Sequence, residues 1–139
     1  MSNVFPRQIT NPPIKAVSSD GCYIIDENGK QYLDGSGGAA VSCLGHGDPD
    51  VIKAVQDQTS KMAFAHTGFF SSDPAEELAE LLIDNAPGEL DRVYFVSGGS
   101  EAIEAAIKLA RQFHIENGEP SRPHIIARQH SYHGNNLGP

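Results

Sequence analysis

Val93-Tyr94-Phe95-Val96-Ser97-Gly98-Gly99-Ser100-Glu101-Ala102-Ile103-Glu104-Ala105-Ala106-Ile107-Lys108-Leu109-Ala110-Arg111 decides how this chain is read. With Arg92, the first four residues make an apolar run of strand length. Ser97-Gly98-Gly99-Ser100 follows without a spacer. Then Ile103, Ile107 and Ala110 share one helical face, with Ala102, Ala106, Leu109 and Phe113 beside it. A strand is therefore expected to turn directly into a helix. A helix N-terminus leaves N–H groups unpaired and carries about half a positive charge, which suits a phosphate. Gly98 and Gly99 have no side chains to block its approach, and Ser100 adds a hydroxyl donor. No Gly-Lys-Ser/Thr follows, so the turn is not a P-loop, and the Gly-x-Gly-x-x-Gly dinucleotide fingerprint is absent. On this chemistry alone the turn is either an anion site or a plain glycine-rich connection.

Asn117-Gly118 ends the helix, and His124-Ile125-Ile126-Ala127 reads as a second strand leading into Gln129-His130-Ser131-Tyr132-His133-Gly134. Strand, helix and strand at this spacing predict a βαβ unit and a parallel sheet. Upstream, Asp73-Pro74 with Glu76 signals a helix start, Leu78, Leu81, Leu82 and Ile83 make that helix apolar, and Pro87-Gly88 stops it. Asp48-Pro49-Asp50 is a second helix start, followed by Val51, Ile52, Val55 and Met62 on one face. Residues 34–47 hold Gly35, Gly37, Gly38, Gly45 and Gly47, a loop whose backbone is expected to pass close to something. Tyr23-Ile24-Ile25 and Gln31-Tyr32-Leu33 flank Asn28-Gly29 and predict a β-hairpin. Residues 1–19, with Pro6, Pro12 and Pro13, read as an irregular or extended arm.

The chain has 139 residues, 39% hydrophobic and 20% charged, enough for one soluble domain with a sizeable core. The net charge of −8 argues against nucleic acid as a partner, because phosphate backbones are held by clustered Lys and Arg. Cys22 and Cys43 are too few for a disulfide framework and are read as reduced thiols. There is no secretory signal pattern and no run long enough to cross a bilayer, so a cytoplasmic protein without a membrane partner is expected. His124, His130 and His133 lack the spacing of a structural zinc site, and no metal is expected. Lys108 reads as an exposed or ion-paired lysine, and Glu101 and Glu104 as acids favoured by the helix dipole. Phe64, His66, Phe69 and Phe70 form an aromatic cluster, read as core packing or a subunit contact, with a substrate-pocket wall as the sharper alternative.

The stretch from Ser97 to Arg111 resembles the signature of class III aminotransferases, enzymes of the PLP-dependent fold type I. Gly21–Gly35 resembles that family's N-terminal hairpin ending in Leu-Asp-Gly, and Gly45-His46 its Gly-His before the next helix. Asp73–Leu82 resembles the helix before the strand, and Ser131-Tyr132-His133-Gly134 its Tyr-His-Gly. The fold implied is α/β: an N-terminal β-hairpin segment plus the start of a large-domain parallel or mixed sheet with flanking helices. Residues 1–47 would be an arm and hairpin belonging to the small domain, and 48–139 the first, incomplete part of the cofactor-binding large domain.

The resemblance also implies roles. Gly99 and Ser100 would give backbone N–H groups, and Ser100 its hydroxyl, to the phosphate of pyridoxal 5'-phosphate (PLP). Tyr132 would stack on the pyridine face, with His133 beside it. The family often places a large aromatic near Gly37-Gly38-Ala39-Ala40, where alanines imply a roomier site. The implied activity is transamination between an amino donor (ω-amino acid, diamine or amine) and a keto acid such as pyruvate, in a homodimer. None of Lys15, Lys30, Lys53, Lys61 and Lys108 sits in the motif of the family's Schiff-base lysine. No catalytic residue is therefore assigned, the sequence is read as an incomplete functional unit, and this chain alone is expected to be inactive. A non-catalytic fragment or interaction module, or a related aminomutase or racemase, is the alternative.

Overall fold

The computed structural model describes residues 3–138. The chain divides between Phe70 and Ser71 into two compact units.

The first unit is built on an antiparallel sheet of three strands in the order β1-β2-β3, namely β1 (Ala16–Asp20), β2 (Tyr23–Asp26) and β3 (Gln31–Leu33). The expected hairpin is β2–β3, with Tyr23 opposite Leu33 and Ile25 opposite Gln31. Its connection is longer than a two-residue turn. Asp26 N donates to Lys30 O and Gly29 N to Asp26 O, both at 3.0 Å, and Gly29 takes the left-handed conformation at φ 80°. Asp26 is the one buried polar residue among those described, at 6% exposure. Its carboxylate accepts from Asn28 N, Lys30 N and the Tyr32 hydroxyl, which ties the turn together. The Lys30 N–H bond, ahead of those of Asn28 and Tyr32, holds its pKa below the usual value.

The end of the predicted arm departs from expectation, because Ala16–Asp20 is a strand. Its side chains show no alternating burial. Pairing with β2, with an irregularity between Ala16 and Ser18, supplies the order that its own pattern lacks.

After β3 comes the glycine-rich loop. Within it, α1 (Gly37–Ala40) is a single turn of the left-handed kind, with φ of 56°, 60°, 62° and 67° along its residues. Val41 N closes it onto Gly37 O at 2.7 Å. Helix α2 (Pro49–Lys61) starts where predicted: Asp48 is the N-cap and its Oδ1 accepts from Asp50 N and Val51 N at 3.0 Å each.

The second unit holds α3 (Asp73–Asp84) and α4 (Gly99–Glu116). The cap of α3 lies one residue earlier than the sequence suggested. Ser72 is the N-cap and Asp73 is already helical, while the Ser71 hydroxyl bonds to Glu76. Helix α4 ends at Asn117, with Gly118 left-handed at φ 75°.

Two features are not formed among the described residues, for one reason. Neither 92–96 nor 124–127 joins a hydrogen-bonded ladder, so the parallel sheet is not formed among the described residues. No apolar side chain among them is buried either, so the sizeable core is absent. A helix satisfies its own backbone, whereas a strand and an apolar face need neighbours. The apolar faces of α2, α3 and α4 are present but uncovered: Val55, Leu81 and Leu109 are each at least 60% exposed.

Candidate active site

The glycine-rich turn sits at the start of the longest helix. Gly98 is the N-cap of α4 and supplies no side-chain cap. The first intrahelical bond runs from Ala102 N to Gly98 O at 3.0 Å, which leaves the N–H groups of Gly99, Ser100 and Glu101 outside the helical ladder. The space beside Gly99 is open: a Cβ placed there would meet nothing within 4 Å. Gly98 is different, since a Cβ on it would fall 2.8 Å from Glu101 Oε2. The Glu101 carboxylate thus reaches back over the N-cap, as an acid in the first turn is drawn to do.

Ser100 is half-buried, and its Oγ accepts a hydrogen bond from Asn135 N at 3.0 Å. One turn along the same face, Glu104 Oε2 accepts from Gly138 N at 2.9 Å, and Glu104 Oε1 pairs with Lys108 Nζ at 2.9 Å. Lys108, and then Gly138, lower the Glu104 pKa. The segment following Tyr132-His133-Gly134 is therefore laid along the first turns of α4.

The four sequence-predicted site residues divide in two. Gly99 and Ser100 are at the helix start as expected. Tyr132 and His133 are exposed, Tyr132 at 82%. What joins the two motifs is backbone, through Asn135 and Gly138. Neither partner is legible in the sequence. The spacing of Ser100, Glu104 and Lys108 marks one helical face, but nothing in it says what that face meets. Lys108 is ion-paired, as expected. Among the described residues no group of three or more His, Cys, Asp or Glu side chains could hold a metal ion.

A second polar cluster organises the glycine loop of the first unit. Asp34 accepts from Gly37 N (2.9 Å) and Ser36 Oγ (3.3 Å) on one oxygen, and from Ser42 Oγ (3.1 Å) on the other, which also lies 2.9 Å from His46 Nε2. The His46 bond, with those of Ser42, Gly37 and Ser36, holds the Asp34 pKa below its usual value. His46 is anchored in turn by a two-way backbone bridge to Gly21. The aromatic cluster in the same unit is not core. Phe64 and Phe69 are exposed, with the His66 ring 6.5 Å and 5.2 Å from theirs.

A family model for class III aminotransferases matches residues 4–138. The chain belongs to the class III aminotransferases. An uncharacterized aminotransferase of Schizosaccharomyces pombe is 45% identical over 125 residues, which is 90% of this chain and 27% of that protein. The acetylornithine aminotransferase of Clostridium acetobutylicum is 37% identical over 119 residues, 86% of this chain and 30% of that protein. Among solved structures, the omega transaminase of Pseudomonas jessenii in complex with PMP superposes with a TM-score of 0.89 at 29% identity, over 96% of this chain and 31% of that one. An (S)-enantioselective omega-transaminase of Thermomicrobium roseum gives a TM-score of 0.89 at 36% identity, over the same shares. This aminotransferase chain thus has the α/β architecture of fold type I over its matched length, and spans less than a third of those two structures.

Proposed function

We propose that this chain forms the phosphate turn and the ring platform of a PLP-dependent transaminase, which moves an amino group from an amine or amino acid to a keto acid. Residues 1–47 belong in this reading to the small domain, and residues 48–139 begin the large cofactor-binding domain. The observation that carries it is the bond from Asn135 N to Ser100 Oγ. A hydroxyl that accepts from an N–H keeps its own hydrogen free to donate. Ser100 can then give Oγ–H to a phosphate oxygen beside the unengaged N–H groups of Gly99 and Ser100. The open space at Gly99 admits the phosphate, so the residues present fit the group. Tyr132 offers its exposed ring to the pyridine face, with His133 next to it. When bound, PLP supplies the electron sink for the transfer.

The proposal extends to a homodimer in the cytoplasm, with no nucleic-acid or membrane partner. The supports are the family, the acidic composition and the two free cysteines. Among the described residues no helix is long and apolar enough to cross a membrane.

Titrating the intact protein with PLP tests the site. Ser100→Ala should weaken binding about tenfold or more, the usual loss for a hydrogen bond to a charged group. A folded intact protein that shows no saturable uptake of PLP would assign the turn a purely structural role.

A further inference from the structure

We propose that Glu104 is a positioning residue: with the Ser100 hydroxyl it pins residues 135–138 to one face of α4, and so sets the span between the phosphate turn and the Tyr132–His133 platform. The proposal rests on the cofactor reading above. Two hydrogen bonds define the clamp, Asn135 N to Ser100 Oγ at 3.0 Å and Gly138 N to Glu104 Oε2 at 2.9 Å. Their acceptors are one turn apart on the helix, about 6 Å along its axis. A segment held at one point can pivot in any direction; held at two, it can turn only about the line that joins them.

Glu104 is itself held. Lys108 Nζ takes its other oxygen at 2.9 Å, and the glutamate side chain is 23% exposed against 71% for the lysine. Both carboxylate oxygens are engaged, and each faces a donor. The approach at Gly138 is close. A Cβ there would lie 2.8 Å from Glu104 Oε2 and 3.5 Å from Ile107 Cδ1, so a side chain at 138 pushes the carboxylate away. Tyr132 lies three residues before Asn135 and is 82% exposed. The backbone that the clamp fixes is therefore what aims the ring. Glu104 touches neither phosphate nor ring in this scheme; it acts through Gly138 and the segment's backbone.

The test uses the intact protein and three variants, Glu104→Ala, Gly138→Ala and Glu104→Gln. PLP affinity is read by titration, ring orientation by the circular dichroism induced in the cofactor's absorption band, and the turn alone by competition with inorganic phosphate. Glu104→Ala and Gly138→Ala should each weaken PLP about tenfold and diminish the induced dichroism. Inorganic phosphate should compete within about twofold of its wild-type strength, because the α4 turn is untouched. Glu104→Gln keeps an acceptor for Gly138 and should retain most of the dichroism. The Glu104→Ala/Gly138→Ala double variant should be no worse than the weaker single, since both remove one contact. Wild-type affinity and dichroism in the folded single variants would overturn the proposal, as would fully additive losses in the double variant. If one single variant fails to fold, the other and Glu104→Gln decide. Failure of the wild-type protein to take up PLP would instead remove the cofactor reading, and this proposal with it.

Discussion

Ala39 and Ala40 stand in left-handed backbone, at φ 62° and 67°, where an L-residue with a Cβ costs roughly 1–2 kcal/mol. Gly37 and Gly38 precede them in the same conformation at no such cost. Asp34 holds the strained turn from both sides, through Gly37 N and Ser42 Oγ. Strain that persists because its surroundings enforce it is a feature of functional loops. Ala40→Gly should therefore raise the stability of the intact protein by about 0.5–1 kcal/mol in urea denaturation, the relief of strain less the entropy a glycine adds to the unfolded chain. Gly45→Ala should do the reverse. Gly45 sits at φ 81° and a Cβ there would approach Gly21 O to 2.9 Å. A loss of about 2–3 kcal/mol follows from the conformation and the overlap with backbone. The five glycines of this loop announced a close approach in the sequence. That the approach is to Gly21, and that two alanines share the left-handed turn, could not be read there, because both depend on where the hairpin lies.

The helices were legible as elements because a helix start is written in a few adjacent residues. Asp48-Pro49 delivers the expected cap, with two N–H donors on Asp48 Oδ1. Asp73-Pro74 looks alike in sequence, yet its helix begins one residue earlier and Ser72 makes no side-chain cap bond. Asp48→Ala should cost about 1 kcal/mol, and Ser72→Ala only a few tenths, in equilibrium unfolding of the intact protein. Equal losses would show that the two starts are capped alike. The strands were legible only in part. The hairpin is legible from Asn28-Gly29, a local signal. Strand β1 is not legible, because nothing in Ala16-Val17-Ser18-Ser19-Asp20 alternates and its partner β2 organises it. Val93–Val96 and His124–Ala127 have strand composition, but a parallel ladder is a property of neighbours, and none pairs with them among the described residues.

At the scale of the whole chain, the absence of any buried apolar side chain among the described residues sets the expected behaviour. Leu82, Leu109 and Phe113 keep their faces open. Burial of such side chains is the main favourable term in folding, about 1.5–3 kcal/mol each. Residues 1–139 expressed alone should bind a hydrophobic dye such as ANS and show a broad, non-cooperative urea transition by circular dichroism. A sharp two-state transition without dye binding would overturn this. Helices α2, α3 and α4, the hairpin, the glycine turn at 97–100 and the family resemblance are legible in the sequence alone. All of these are carried by short-range spacing, where each residue's neighbours along the chain supply the physics. The meetings of Ser100 with Asn135, of Glu104 with Gly138, and of Asp34 with Gly37, Ser42 and His46 belong to the folded chain. The first two join groups more than thirty residues apart, and those of Asp34 depend on how its own loop closes. No periodicity encodes which donor will arrive at a given acceptor once the chain has turned back on itself.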